Sequence, residues 1–490
     1  MHNYQIPNMK RLYKTLLVTL LVPLWVNAQT TDVPSGSFTL EQSINYALEN
    51  AINIQNSLID EKISDALVKE TRGIGLPQID GSVTLMHNAK LQRFYTAYDP
   101  DGFSIGGDLG SVPGIQPGDV VGAQNFFQLP SNGTAALSIN QILFNNSYLL
   151  GLKASRTYRD LATKTTQQTK EQIIEGVTKA YFAAVINTER IKLFESNIAR
   201  VDSLFKSTKA LNENGFAEAI DVDRTEVTLN NLIIERDKFI GIQEIALQLL
   251  KFQMNYPMEK PIIIASDLNS FKLDRDIAYL TEDWNYTTRI DYSILESNRD
   301  LQELDVKNKV SASIPSLSAF ANLGYGTQSN NIGGLFTTNS NIADAGGVGP
   351  DKWYPATSFG VSLNVPIFSG LQRNYKLQQS KLTLLKTENG FKSLKNSIDL
   401  EISRGTITYE NALKTLDAQR RNTTLAENVA RVTKIKYEQG VGTNLEVVDA
   451  ESALREAQIN YYSAMYDAIV SRVDLIRAYG KINTLASPQN

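Results

Sequence analysis

The chain has 490 residues, no cysteine, two histidines and a formal charge of −4, with acidic and basic side chains well mixed along its length. Without cysteine there is no disulfide scaffold and no lipid-modified N-terminal anchor, and the even charge distribution speaks against a nucleic-acid partner. No phosphate-binding GxxxxGK segment, histidine pair or cluster of metal ligands occurs, so no catalytic residue, cofactor or metal is predicted and an enzyme is the weakest reading.

The chain opens with Lys10, Arg11 and Lys14, followed by the apolar LLVTLLVPLWV and by VNA just before Gln29. This is the pattern of a cleaved secretory signal, predicted over residues 1–28. After it no apolar run of about 18 residues recurs, so a closed β-barrel is the only structure left that can cross a bilayer.

FTLEQSINYALENA (Phe38 to Ala51) reads as a helix whose Thr39 and Gln42 form a capping box. Alternation with period two then predicts strands at about 78–95 and 131–145. In the first, Ile79, Val83 and Leu85 face away from Asp80, Ser82 and Thr84, and His87 sits at an interface among apolar neighbours. Asp99 to Ser131 forms a long Gly-, Asn- and Asp-rich loop. Proline is absent from Ser131 to Tyr256, which permits a long helix over 147–212. Some 65 helical residues span on the order of 100 Å, several times the width of a small domain. Gly215 ends that helix as a left-handed cap, and a returning helix over 219–255 starts beside the dipole-stabilising Asp221.

After a connecting segment, 256–285, the pattern starts again with a helix, strands at about 315–327 and 356–368, a long helix over 371–438 and a returning helix over 444–482; residues 483–490 form a tail. Gly215 and Gly440 are 225 positions apart (440 − 215), Ser138 and Ser362 are 224 apart (362 − 138), and Pro77 and Pro315 are 238 apart (315 − 77). The chain therefore reads as a tandem internal repeat, 29–255 and 286–482. Four strands cannot close a barrel, so closure requires several copies to contribute strands. A secreted or anchored coiled-coil rod of adhesin type is the alternative, distinguished by remaining soluble.

Three segments in this order carry a family resemblance: FTLEQSINYALENA, NVPIFSGLQR (Asn364 to Arg373) and YEQGVGTNLEVVDAESAL (Tyr437 to Leu454). Together with the duplication they resemble the TolC family of outer-membrane efflux proteins over nearly all of the chain. The resemblance implies an α+β membrane protein built as a homotrimer. Four strands per chain would make a 12-stranded barrel among outer-membrane lipids, continued by a long periplasmic α-helical barrel, with 256–285 at its equator. Such a protein is the exit channel of a tripartite efflux or secretion system. Its partners are a periplasmic adaptor (membrane fusion) protein and an inner-membrane transporter of RND or ABC type.

The resemblance also places residues. Glu446 and Asp449 fall where the family narrows its pore with two acids one helical turn apart. Tyr437 and Asp221 match members of the closed-state tip network, whose arginine position here holds Gly442; Arg224, aligned by the repeat with Asp449, is the candidate substitute. The turns Gly215, Phe216 and Ala217, and Gly440, Val441 and Gly442, are the candidate adaptor-docking sites. Phe94, Tyr95, Tyr98 and Phe359 are candidates for an aromatic membrane girdle.

Overall fold

The computed structural model describes residues 37–100, 113–124, 128–265, 268, 273, 275–336 and 353–486. The expected signal segment, parts of the expected loop from Asp99 to Ser131, and residues 337–352 between β7 and β8 lie outside the described residues. In chain order the elements are β1 (Ser37–Phe38), α1 (Leu40–Asn50), α2 (Ile52–Ile74), β2 (Gln78–His87), β3 (Arg93–Ala97), β4 (Val120–Gln124), β5 (Ser131–Phe144) and α3 (Asn146–Glu213). They continue with α4 (Ala219–Met254), β6 (Ile263–Ile264), α5 (Ala278–Thr281), α6 (Ile290–Ser311), β7 (Ser316–Ser329), β8 (Tyr354–Asn364), α7 (Gln372–Glu438) and α8 (Asn444–Ala478). Helices dominate, and two of them, α3 and α7, run for 68 and 67 residues. At about 1.5 Å per residue each is on the order of 100 Å long.

The capping box at the start of α1 is formed: Gln42 N–H donates to the Thr39 hydroxyl at 3.2 Å, and Thr39 N–H donates to Gln42 Oε1 at 3.0 Å. α3 leads into α4 and α7 into α8 as two antiparallel hairpins. α3 grows directly out of β5, with Asn145 capping the new helix by accepting from Tyr148 N–H at 3.1 Å. The matching junction from β8 to α7 turns through Gly370 and Leu371, both left-handed at φ 58° and 63°.

The four-stranded sheet is antiparallel in the order β2–β5–β7–β8. Its register sets Ile79, Ile139, Ala321 and Phe359 side by side, and Asp80, Ser138, Asn322 and Ser358 in the next row. One face therefore carries Ile79, Val83, Leu137, Leu323, Val361 and Leu363, all of them exposed, and the other carries Ser, Thr, Asn and Gly. Both outer edges, on β2 and β8, are unpaired among the described residues.

Two strands are shorter than the sequence predicts, and proline is the reason in both cases. The strand expected over 78–95 stops at His87, because its partner β5 begins after Pro130, which has no N–H to extend the ladder. Residues 93–97 instead pair with 120–124, which lie in the region expected to be loop, as a separate two-stranded sheet. The strand expected over 356–368 ends at Asn364, just before Pro366.

Midway along the helices lies the main apolar core. β1 pairs in parallel with β6, and Phe38, Tyr46 and Tyr256 pack together with ring centroids 5.6 to 5.8 Å apart. Ile44, Val177, Leu250, Leu280, Val473 and Ile482 are fully buried there. Beside it Arg289, only 5% exposed, donates to Asp291 at 2.8 Å, Glu401 at 3.0 Å and the Ala478 carbonyl at 2.7 Å. Burial opposes its charge, but the bond to Asp291 and the Glu401 carboxylate more than compensate and push its pKa above the ordinary arginine value. The guanidinium thereby ties α6 to α7 and to the end of α8. Replacing Arg289 with Met is expected to destabilise the protein by about 2–3 kcal/mol, since the carboxylates and the carbonyl lose a charged donor. An unchanged denaturant midpoint for R289M in detergent would remove this role.

Candidate functional site

The two hairpin tips lie together at one end of the helices. At the first, Phe216 N–H donates to the Leu211 carbonyl at 2.8 Å and Gly215 N–H to Asn212 at 2.9 Å, with Gly215 at φ 81°. At the second, Val441 N–H donates to Lys436 and Gly440 N–H to Tyr437, both at 2.9 Å, with Gly440 at φ 73°. Both are Schellman caps, and the left-handed residue must be glycine to avoid strain. The next residue in each cap, Phe216 or Val441, is 81% or 76% exposed. Each therefore presents an uncovered apolar side chain at the extreme end of the molecule.

Gly442 has a different reason to be small. A Cβ there would lie 3.2 Å from both the Lys436 Cβ and the Tyr437 backbone nitrogen, and 3.4 Å from Glu446 Oε2. A side chain at this position would crowd the end of α7, whose atoms would have to give way. The following helix starts with Thr443, whose hydroxyl accepts from Glu446 N–H at 3.3 Å.

Glu446 and Asp449 are exposed on one face of α8, one turn apart, while Val447, Val448 and Ala450 on the opposite face are buried. Neither acid forms an ion pair among the described residues. Asp221 and Arg224 come together on α4 as an i,i+3 pair at 2.9 Å. Tyr437 is not bonded to Asp221; its hydroxyl lies 3.3 Å from the Thr208 hydroxyl on α3, and its ring packs on Leu204, Val447 and Val448. All three residues line one open groove of about 1070 Å³ between the tips, which Phe216 and Gly442 also border.

The contact that joins the tips centres on Asn444, which the sequence reading did not single out. Its side chain is 3% exposed and donates to the hydroxyls of Thr208 and Thr225, each at 3.2 Å. Thr225 in turn donates to the Asp221 carbonyl at 2.7 Å. One amide from the second hairpin thus holds both helices of the first, without a charge. Farther along, Arg200 on α3 meets the buried Glu451 on α8 at 3.2 Å, and Asn197 donates to Gln458 at 3.2 Å. The readable signal was phase: Asn444 lies three residues before Val447 and Thr208 four after Leu204, so each is a polar side chain on the buried stripe of its helix.

Replacing Asn444 with Leu removes both donors at similar volume. It is expected to weaken the junction by about 1–2 kcal/mol, which corresponds to amide exchange roughly tenfold faster across residues 204–228 and 437–451. Exchange at the wild-type rate in N444L would show that the apolar contacts alone hold the tips.

The family profile for outer membrane efflux proteins matches residues 295–481. The outer membrane protein TolC of Vibrio cholerae is 19% identical over 352 residues, covering 71% of this chain and 77% of that protein. The toluene efflux pump outer membrane protein TtgC of Pseudomonas putida is 24% identical over 354 residues, covering 69% of this chain and 66% of its own length. Among solved structures, CusC superposes with a TM-score of 0.68 at 13% identity, covering 90% of this chain and 91% of that one. VceC from Vibrio cholerae does so with a TM-score of 0.66 at 14% identity, covering 90% and 96%. The second half of the chain thus matches the outer membrane efflux protein profile, and the whole fold, long helices leaving a short antiparallel sheet and ending in two glycine-capped tips, is that of the TolC-like outer-membrane channels.

Proposed function

We propose that the chain is the outer-membrane exit channel of a tripartite efflux or secretion system, a conduit and not an enzyme. The observation that carries this reading is the sheet: four strands with an uncovered apolar face and two open edges, continuous with helices on the order of 100 Å long. On β7 the apolar face runs from Leu317 to Tyr325, about 26 Å along the strand at 3.3 Å per residue, close to the height of a barrel's lipid-facing band. Above it the same face turns polar, with His87 Nδ1 2.9 Å from the Ser131 hydroxyl. Phe359 projects from the apolar face at 84% exposure as a girdle residue, whereas Tyr95 and Tyr98 lie beyond the four-stranded sheet. A coiled-coil rod has no use for such a sheet.

On this reading three copies form a 12-stranded barrel in the outer membrane and a periplasmic tube of helices, after removal of a signal over 1–28. The halves 29–255 and 286–482 are a tandem repeat joined by the equatorial segment 256–285. Shifting Ile52, the first residue of α2, by 238 gives Ile290, the first of α6; shifting Ala219 of α4 by 225 gives Asn444 of α8. One tip per half then makes six tips in a ring. There the exposed Phe216 and Val441, flanked by Gly215, Ala217, Gly440 and Gly442, dock a periplasmic adaptor that connects to an inner-membrane transporter of RND or ABC type. Tyr437 acts in the closed tip through Thr208, and Asp221 through Thr225, with Arg224 neutralising the Asp221 carboxylate.

Glu446 and Asp449 line the constriction, six carboxylates in the trimer, and favour cations. In planar bilayers the wild-type channel is expected to prefer cations. E446Q/D449N should reduce the cation-to-anion permeability ratio by a factor of roughly ten while leaving the channel open. Unaltered selectivity in that variant would remove the carboxylate ring, and the absence of any conductance by wild-type protein would remove the channel.

A further inference from the structure

The two halves of the chain coincide in strand register as well as in element order. Moving the β2 residue by 238 and the β5 residue by 224 turns the pair Gln78↔Asn140 into Ser316↔Asn364, which is the pair that β7 and β8 form. The free edge of β8 is thus the counterpart of the β5 edge that meets β7, and the free edge of β2 is the counterpart of the β7 edge that meets β5. The one cross-repeat strand junction among the described residues is therefore a template for the junction between copies. Applied to Asn140↔Phe320 and Ile142↔Ser318, it gives Asn364↔Ser82 and Pro366↔Asp80.

The helices point to the same junction. α3 and α7 are counterparts of nearly equal length, yet α3 buries 18 of its 68 residues and α7 only 4 of its 67. α8 buries 16 of 35 and α4 only 5 of 36. Within the chain α3 packs on both α6 and α8. The corresponding neighbours of α7 would be α2 and α4, and these elements expose their apolar side chains: Leu400 and Ile407 on α7, Ile59 on α2, and Ile220, Val227 and Ile234 at seven-residue spacing on α4. The missing burial is what a second copy supplies.

Resting on the trimer proposed above, we infer that β8 pairs with β2 of the partner subunit in the register Asn364↔Ser82, and that this seam is fastened by an ion pair between Arg373 and Asp80 of the partner subunit. Asp80 is the one charged side chain on the polar face of the described four-stranded sheet and has no bonded partner within its own chain among the described residues. Arg373, just past the end of β8, donates to the Pro366 carbonyl at 3.1 Å and to the Ser369 hydroxyl at 2.9 Å, and meets no carboxylate among the described residues. Pro366 is the residue that the seam register sets opposite Asp80 of the partner subunit. A guanidinium already held at the Pro366 backbone is therefore brought to a carboxylate that has no other charge to answer.

The chain's lack of cysteine makes the seam directly testable. Full-length protein carrying Ser82→Cys and Asn364→Cys, oxidised in detergent, should shift to dimer and trimer bands that a thiol reductant abolishes. Each single variant should stay at the position of one chain. The slipped pairs Thr84→Cys with Asn364→Cys, and Asp80→Cys with Asn364→Cys, should cross-link much less. Stronger cross-linking by either slipped pair, or none by any pair in a protein that is trimeric by light scattering, overturns the seam while leaving the channel reading in place; a wild-type monomer overturns the trimer itself. For the ion pair, D80R and R373D should each lower the temperature at which the trimer dissociates, and the double swap D80R/R373D should restore it. A double swap no better than the single changes overturns the ion pair.

Discussion

Unpaired backbone at two strand edges is the constraint from which the rest of this molecule follows. β2 and β8 each present a row of N–H and C=O groups to nothing among the described residues, while one face between them is apolar. In water such an edge invites association, and in lipid every unmet backbone group costs several kcal/mol. A sheet of four strands is too narrow to curl round and meet its own edge. The fold therefore fits the proposed assembly, in which each chain is one sector of a closed barrel. The helices inherit that condition, because α3 and α7 begin where β5 and β8 end, and any curvature imposed on the strands is passed on to the rods.

A sector with so little interior of its own still has to fold as a recognisable unit, and the central core provides for this. It draws the N-terminal strand, the connecting segment and the C-terminal 3₁₀ turn Ile482–Ala486 onto α3 and α8. Phe38, Leu280 and Ile482 come from parts of the chain more than two hundred residues apart. Arg289 adds a charged crosslink at the edge of this core, where burial alone would disfavour it. Away from the core, the long hairpins are held by thin apolar seams and isolated polar bonds, so the structure is densest at its middle and most dependent on neighbours at both ends.

Much of this was legible in the sequence because the signals were long-range and redundant. Two proline-free windows announce two rods, and the glycines at 215 and 440 announce both turns. The period-two pattern placed all four strands of the sheet. What escaped notice was local. The pairing of 93–97 with 120–124 depends on a partner across a loop of irregular composition, which periodicity cannot detect. The strand ends depend on Pro130 and Pro366, each of which acts on a neighbour in the ladder as well as on its own residue. Asn444 escaped because an asparagine near a helix start is ordinarily read as a cap. Thr443 takes that role, leaving the amide free to cross to the other hairpin.

The two tips share a backbone but differ in chemistry, and the difference bears on how the proposed channel could gate. The first carries an aromatic, Phe216, and an acid already matched by Arg224; the second carries Val441, a crowded Gly442 and two exposed acids that form no ion pair among the described residues. One tip per half would supply six similar turns to the proposed trimer. The bridge between unlike tips is uncharged, an amide between two hydroxyls. Changes in pH or salt act weakly on such a bond, whereas a small displacement of α4 against α8 breaks it, since hydrogen bonds fade steeply with distance and angle. In the proposed channel, charge and closure would thus fall to different residues: the carboxylates would act on ions, and the junction would yield to mechanical displacement of the helices that form it.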